Sequence, residues 1–94
     1  MKKPSIKEID DLYTAILQLE SVEECRRFFG DLLTEYEIKE FVKRWKVARM
    51  LAEGIPYTQI ESETGLSTRT IARVALWLKK GKGGYAMMLK RTAK

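Results

Sequence analysis

Apolar residues recur at three- and four-residue intervals along almost the whole chain, and three of these runs open on the same start signal. Ser5 with Glu8, Ser21 with Glu24, and Thr34 with Glu37 each set a hydroxyl three positions ahead of a glutamate. This pair satisfies free amides at a helix N-terminus reciprocally. The first run carries Ile6, Ile9, Leu12, Tyr13, Ile16, Leu17 and Leu19; the second carries Val22, Cys25, Phe28, Phe29, Leu32 and Leu33. The third extends to about Glu53 with Ile38, Phe41, Val42, Trp45, Ala48, Leu51 and Ala52 on its apolar face. Gly54 is placed to stop it and Pro56 to prevent its continuation. Three such helices leave no room for a sheet in the first 54 residues. A short helix over about 57–64 precedes Gly65, and Ser67 caps another from Thr68 to about Lys80 with Ile71, Val74, Ala75 and Leu78 inward. Gly81, Gly83 and Gly84 then interrupt the chain before a last stripe of Tyr85, Met88 and Leu89. The reading is an all-α fold of about six helices.

Composition narrows the function. With 94 residues the chain fits one domain. It has no histidine, which removes the commonest general base and excludes Ser-His-Asp and Cys-His catalysis. One cysteine gives no internal disulfide, and no His/Cys cluster is present to hold a metal. No enzyme activity, catalytic residue or cofactor is therefore expected. No apolar run approaches the roughly 18 residues of a membrane span, and the start lacks the apolar core of a signal peptide, so a cytoplasmic location is expected. Charge divides by position: residues 1–40 carry a net −4 and residues 41–94 a net +9, within a total of +5. A basic half beside an acidic one points to a polyanion partner for the former and a different role for the latter.

The segment from Tyr57 to Lys80 has the local requirements of a helix-turn-helix. Two steeply crossing helices need a glycine at the bend, and Gly65 stands between Ile60 on one side and Ile71 on the other. Ile60, Leu66, Ile71 and Val74 are spaced to lock the two helices together. Outward on the second helix lie Thr68, Arg69, Thr70 and Arg73, with no acid among them. In such motifs the first turns of the second helix enter the major groove, where arginine pairs with guanine and threonine meets a thymine methyl or a phosphate. Candidate contacts to double-stranded DNA are therefore Thr58, Gln59, Ser67, Thr68, Arg69, Thr70 and Arg73. Lys79, Lys80 and Lys82 suit the phosphate backbone.

From Leu33 to Lys80, about half the chain, the sequence resembles the tryptophan repressor family, in its TrpR-like branch of the YerC/YecD type. The residues that carry the resemblance are Leu33-Thr34-Glu35 at the start of the long helix, Arg44, Gly54, the stretch from Gln59-Ile60 to Gly65, and Thr70-Ile71 with Arg73. It implies an intertwined all-α homodimer whose outer helices form the dimer core. Its two recognition helices would enter successive major grooves of a near-palindromic operator, and repression would follow from blocked promoter access. It also implies an effector pocket. Thr34, Arg44 and Arg73 match the family's threonine and two arginines around the ligand's indole ring. Val74 and Trp77 depart from the glycine and serine of that pocket, taking the space of the ring. The expectation is that the protein does not sense tryptophan and needs no small-molecule corepressor. Arg44 and Arg73 then serve phosphate and base contacts.

The resulting organisation is a single TrpR-like domain over 1–94. Residues 1–54 supply dimerisation and core helices, about 57–80 the helix-turn-helix, and 81–94 a glycine hinge with a C-terminal helix. Cys25 lies on an apolar stripe and reads as a small core residue, and Trp45 likewise as packing. Gly81-Lys82-Gly83-Gly84 lacks the spacing of a phosphate loop. Glu61 stands where many helix-turn-helix motifs place a small residue. Two other functions remain open at this stage: a repressor responding to a small molecule through a remodelled pocket, and a helical adaptor binding protein through its acidic half.

Overall fold

A computed structural model describes residues 2–93. It contains α1 (Ile6–Ile16), α2 (Val22–Leu32), α3 (Glu35–Ala52), α4 (Tyr57–Thr64), α5 (Thr68–Lys80) and α6 (Gly84–Thr92), with no strand among the described residues. The all-α reading and the helix order hold. The helices fall into two compact units, one up to Glu35 and one from Tyr36 onward.

In the first unit the capping box at α1 is complete. The Glu8 N–H donates to Ser5 Oγ at 3.1 Å, and the Ser5 N–H donates to Glu8 Oε1 at 2.9 Å. The Ser5 backbone N–H, and after it the Ser5 hydroxyl, hold the Glu8 carboxyl below its ordinary range. The second start signal is only half a box. Ser21 Oγ accepts from the Glu24 N–H at 3.1 Å, but the Glu24 carboxylate reaches one residue further back, to the Glu20 N–H at 2.9 Å. Thr34 stands directly before α3, where the third signal places it. Helix α1 ends earlier than the apolar stripe suggests. After Ile16 the chain tightens into i→i+3 bonds, Gln18 N–H to Ala15 O and Leu19 N–H to Ile16 O, so Leu17 and Leu19 lie beyond the helix. Neither α1 nor α2 contains a buried residue. Ile6 is 79% and Leu17 80% exposed, although both belong to an apolar stripe.

The second unit holds the core. Val47, Ala48 and Met50 of α3, Ile60 of α4, and Ile71 and Val74 of α5 are buried together. Trp45, Leu51, Ile55, Leu66 and Tyr85 pack around them. Of the expected inward residues of α4 and α5, Ile60, Ile71 and Val74 are buried with Leu66 packed against them, while Ala75 and Leu78 are half-buried outside this cluster. The expected inward face of α3 is only partly correct. Phe41 and Val42 are 51% and 60% exposed, while Val47 and Met50, absent from the expected face, are buried. At 100° per residue, Ile38, Phe41, Val42 and Trp45 occupy one side of the helix, and Val47, Met50 and Leu51 the nearly opposite one. The apparent single stripe is two half-length stripes on different faces. The second half of α3 contributes to the core that it shares with α4 and α5.

Helix α3 ends in a Schellman motif. The Ile55 N–H bonds to Met50 O at 3.1 Å and the Gly54 N–H to Leu51 O at 3.0 Å, with Gly54 left-handed at φ 77°. Ile55 then packs on the same cluster as Met50. Pro56 caps α4, its carbonyl accepting from the Gln59 and Ile60 amides.

Candidate nucleic-acid interface

The bend between α4 and α5 is fixed from three directions. Gly65 closes α4 with φ 72°, a conformation that side-chain-bearing residues avoid, and its N–H bonds to Glu61 O at 2.9 Å. Thr64, buried beside it, donates its hydroxyl to Ile60 O at 2.7 Å and accepts from the Leu66 N–H at 3.2 Å. Ser67 caps α5 by accepting from the Thr70 N–H at 3.2 Å. Thr64 is a bracing position of the bend that sequence reasoning missed; the available signal was a threonine immediately before the turn glycine.

On this bend α5 presents its first two turns outward. Arg69 and Arg73 are exposed, and neither is held in an ion pair among the described residues. Four residues apart, they lie on one face about 6 Å apart along the axis. Lys80 falls on the same stripe, and Lys79 is exposed beside it. Leu76, half exposed, interrupts the stripe and is a second position the sequence reading left out. Thr70 is half-buried, its hydroxyl 3.2 Å from Ser67 Oγ. Ser67 and Thr70 are thus engaged in the cap itself.

Two acids of α4 engage two of the remaining candidates. Thr68 Oγ1 donates to Glu61 Oε1 at 2.6 Å, and Gln59 Nε2 donates to Glu63 Oε2 at 3.2 Å. The expectation of a face without acid holds along α5 and fails in space, because Glu61 reaches across the bend to its first residue. Thr58 is exposed in the first turn of α4.

Behind α5 lies an open cavity of about 870 Å³ among α3, α5 and α6. Arg44, Arg73, Val74 and Trp77 all line it, together with Trp45 and Tyr85. Val74 belongs to the buried core, and Trp77 stands half exposed at the wall. Arg44 stacks near the Phe41 ring, 5.9 Å from its centroid. Thr34 belongs to the first unit. Gly81 closes α5 against the Trp77 carbonyl oxygen, into which any Cβ at position 81 would run. Gly83 caps α6, so the glycine segment forms a turn that brings α6 back onto α5. Cys25 is half-buried in α2. Among the described residues no group of metal-binding side chains occurs and no helix is long and apolar enough to cross a membrane.

A short helix, a left-handed turn and a capped, cationic second helix packed on one core define a helix-turn-helix protein. The family model for the Trp repressor protein matches residues 7–93, and the chain belongs to that family. It is 52% identical over 85 residues to the uncharacterized protein YerC of Bacillus subtilis (strain 168), spanning 90% of this chain and 82% of that protein. Two solved structures are similar. One, a provisionally named Trp repressor from Staphylococcus aureus, gives a TM-score of 0.87 at 45% identity, covering 93% of this chain and 87% of that one. The other, a TrpR-like protein from Eubacterium eligens ATCC 27750, gives 0.88 at 38% identity, covering 93% and 90%.

Proposed function

We propose that the protein is a sequence-specific DNA-binding regulator of transcription, acting as a homodimeric repressor through α4 and α5. The observation that carries this reading is the pair Arg69 and Arg73, exposed and unpaired on the leading turns of a helix whose orientation is fixed by Gly65, Thr64 and Ser67. Unpaired arginines there are available for bidentate contacts to guanine, and Lys79, Lys80 and Lys82 for phosphates. Membership of the Trp repressor family supports the same function. Dimerisation is supported by α1 and α2, whose apolar stripes contain no fully buried residue and leave Ile6, Leu17 and Val22 largely exposed, and by exposed Phe41 and Val42 on α3. A second copy is the simplest cover for such surface, since closed two-fold dimers are the commonest oligomers. Two recognition helices in a dimer would address half-sites about one helical turn apart. No catalytic role is proposed, and a cytoplasmic location follows from the function.

The test is selection of bound duplexes from a random pool, followed by a salt titration on the recovered sequence. Paired half-sites and an affinity falling steeply with salt are expected, because neutralised phosphates release counterions. Affinity independent of salt would refute the reading and favour an adaptor role. The cavity behind α5 favours one second reading, a repressor tuned by a small molecule. Ligand binding there would raise the melting temperature.

A further inference from the structure

We propose that Glu61 is a specificity-determining residue that selects a cytosine in each half-site, held in place by Thr68. This rests on the DNA-binding reading above. Thr68 is the first residue of α5, the end that leads into the groove, and its hydroxyl donates to Glu61 Oε1 at 2.6 Å. The bond spans the bend and fixes the glutamate at the tip of the recognition helix. Glu61 Oε2 is left as an acceptor, on a residue that is only half-buried.

A carboxylate at that place cannot be neutral toward DNA. Phosphates repel it, and in the major groove most base-edge groups are themselves acceptors: guanine N7 and O6, adenine N7 and thymine O4. The donors are the exocyclic amines of cytosine and adenine. Adenine's amine lies between two acceptors, its own N7 and the paired thymine O4. Cytosine's has an acceptor on one side only, guanine O6. Cytosine N4 is therefore the base-edge group a fixed carboxylate accepts from at least electrostatic cost. Guanine and thymine at that position offer the free Glu61 oxygen no donor, and adenine offers one flanked by acceptors, so the residue acts by penalising wrong sequences as much as by favouring the right one. Arg69 and Arg73 supply attraction on the same helix, and Glu61 supplies rejection.

The wild-type chain, Glu61→Gln and Glu61→Asp are each put through duplex selection at low salt, with melting curves to confirm folding. Gln retains the acceptor for Thr68 and lacks the charge; Asp retains the charge and shortens the reach. The expected wild-type motif has a cytosine at one position of each half-site. In Glu61→Gln the preference there moves toward adenine, which suits an amide, and the cytosine-to-adenine ratio falls by at least about fivefold. In Glu61→Asp selectivity at that position is lost while the rest of the motif stays. Should Glu61→Gln fail to fold, the Asp variant decides. A Gln variant that returns the wild-type motif at every position overturns the proposal, even if it binds all sequences more tightly, and leaves Glu61 as a brace for the bend. A wild-type motif with no selected cytosine also overturns it. Absence of any duplex binding by the wild type overturns this proposal together with the function it rests on, an outcome distinct from the other two.

Discussion

Thr64→Val isolates the chemistry that sets the angle of α5 against α4. Valine keeps the shape of threonine and replaces its hydroxyl by a methyl, so no cavity forms in the buried site. Two hydrogen bonds disappear. The Ile60 carbonyl has two lone pairs, so losing the 2.7 Å bond from Thr64 Oγ1 costs little at that end. The Leu66 N–H has one proton, and Thr64 Oγ1 at 3.2 Å is its partner at a half-buried position. Leaving it unsatisfied costs about 1–2 kcal/mol, the lower part of the range for a buried orphan donor. For a domain of this size that lowers the melting temperature by roughly 5–15 °C. Thr64→Ser keeps both bonds and loses one methyl, about 0.8 kcal/mol. Thermal melting gives the totals, and amide exchange at Leu66 gives the cause: protection should fall in the valine variant and persist in the serine variant. A valine variant melting within about 2 °C of wild type, with Leu66 still protected, would show that the Thr64 hydroxyl is not what holds the Leu66 amide.

Further expectations concern the interface, the turns, the caps and the pocket. Arg69→Ala and Arg73→Ala should each cost on the order of 1–3 kcal/mol on the selected duplex and relax base preference; equal losses on random duplexes would mean phosphate contacts only. Gly65→Ala should destabilise by about 1–2 kcal/mol through its left-handed backbone alone, since open space surrounds it. Gly81→Ala should melt lower still, because the added Cβ meets the Trp77 carbonyl. Leu12→Glu on α1 combined with Leu17→Glu just past its end, both exposed, should shift sedimentation toward monomer and weaken operator binding. The lowered Glu8 carboxyl contributes to stability above the ordinary carboxylate range, and that contribution is lost as pH falls through the lowered value. Amide shifts at Ser5 and Glu8 should report this in acid and not in Glu8→Gln. The resemblance implies that Val74 and Trp77 take the place of the ring in the effector pocket, so L-tryptophan should leave the melting temperature unchanged.

Local chemistry made α4 and α5 legible. Gly65, Ser67 and the spacing of Ile60, Ile71 and Val74 are each decided within one or two turns of chain, and the structure places them as expected. Helix starts at Ser5 and Ser21 are local in the same sense. The inward face of α3 was not legible, because its two halves carry apolar stripes on nearly opposite sides. Only docking of α4 and α5 decides that Val47 and Met50 go inward and Phe41 stays exposed. The Glu61–Thr68 bond was hidden for a related reason. Seven residues and a left-handed turn separate its partners, and no periodicity connects them. Charge counting along α5 therefore described a purely cationic tip, where the fold puts a carboxylate.

Entry of the leading turns of α5 into DNA can be read residue by residue by titrating the protein with the selected duplex and following its backbone amide shifts. The largest changes should fall on Ser67 to Arg73 and fade along α5. Changes confined to α1 and α2, or none at low ionic strength, would mean that α5 is not the element that meets DNA.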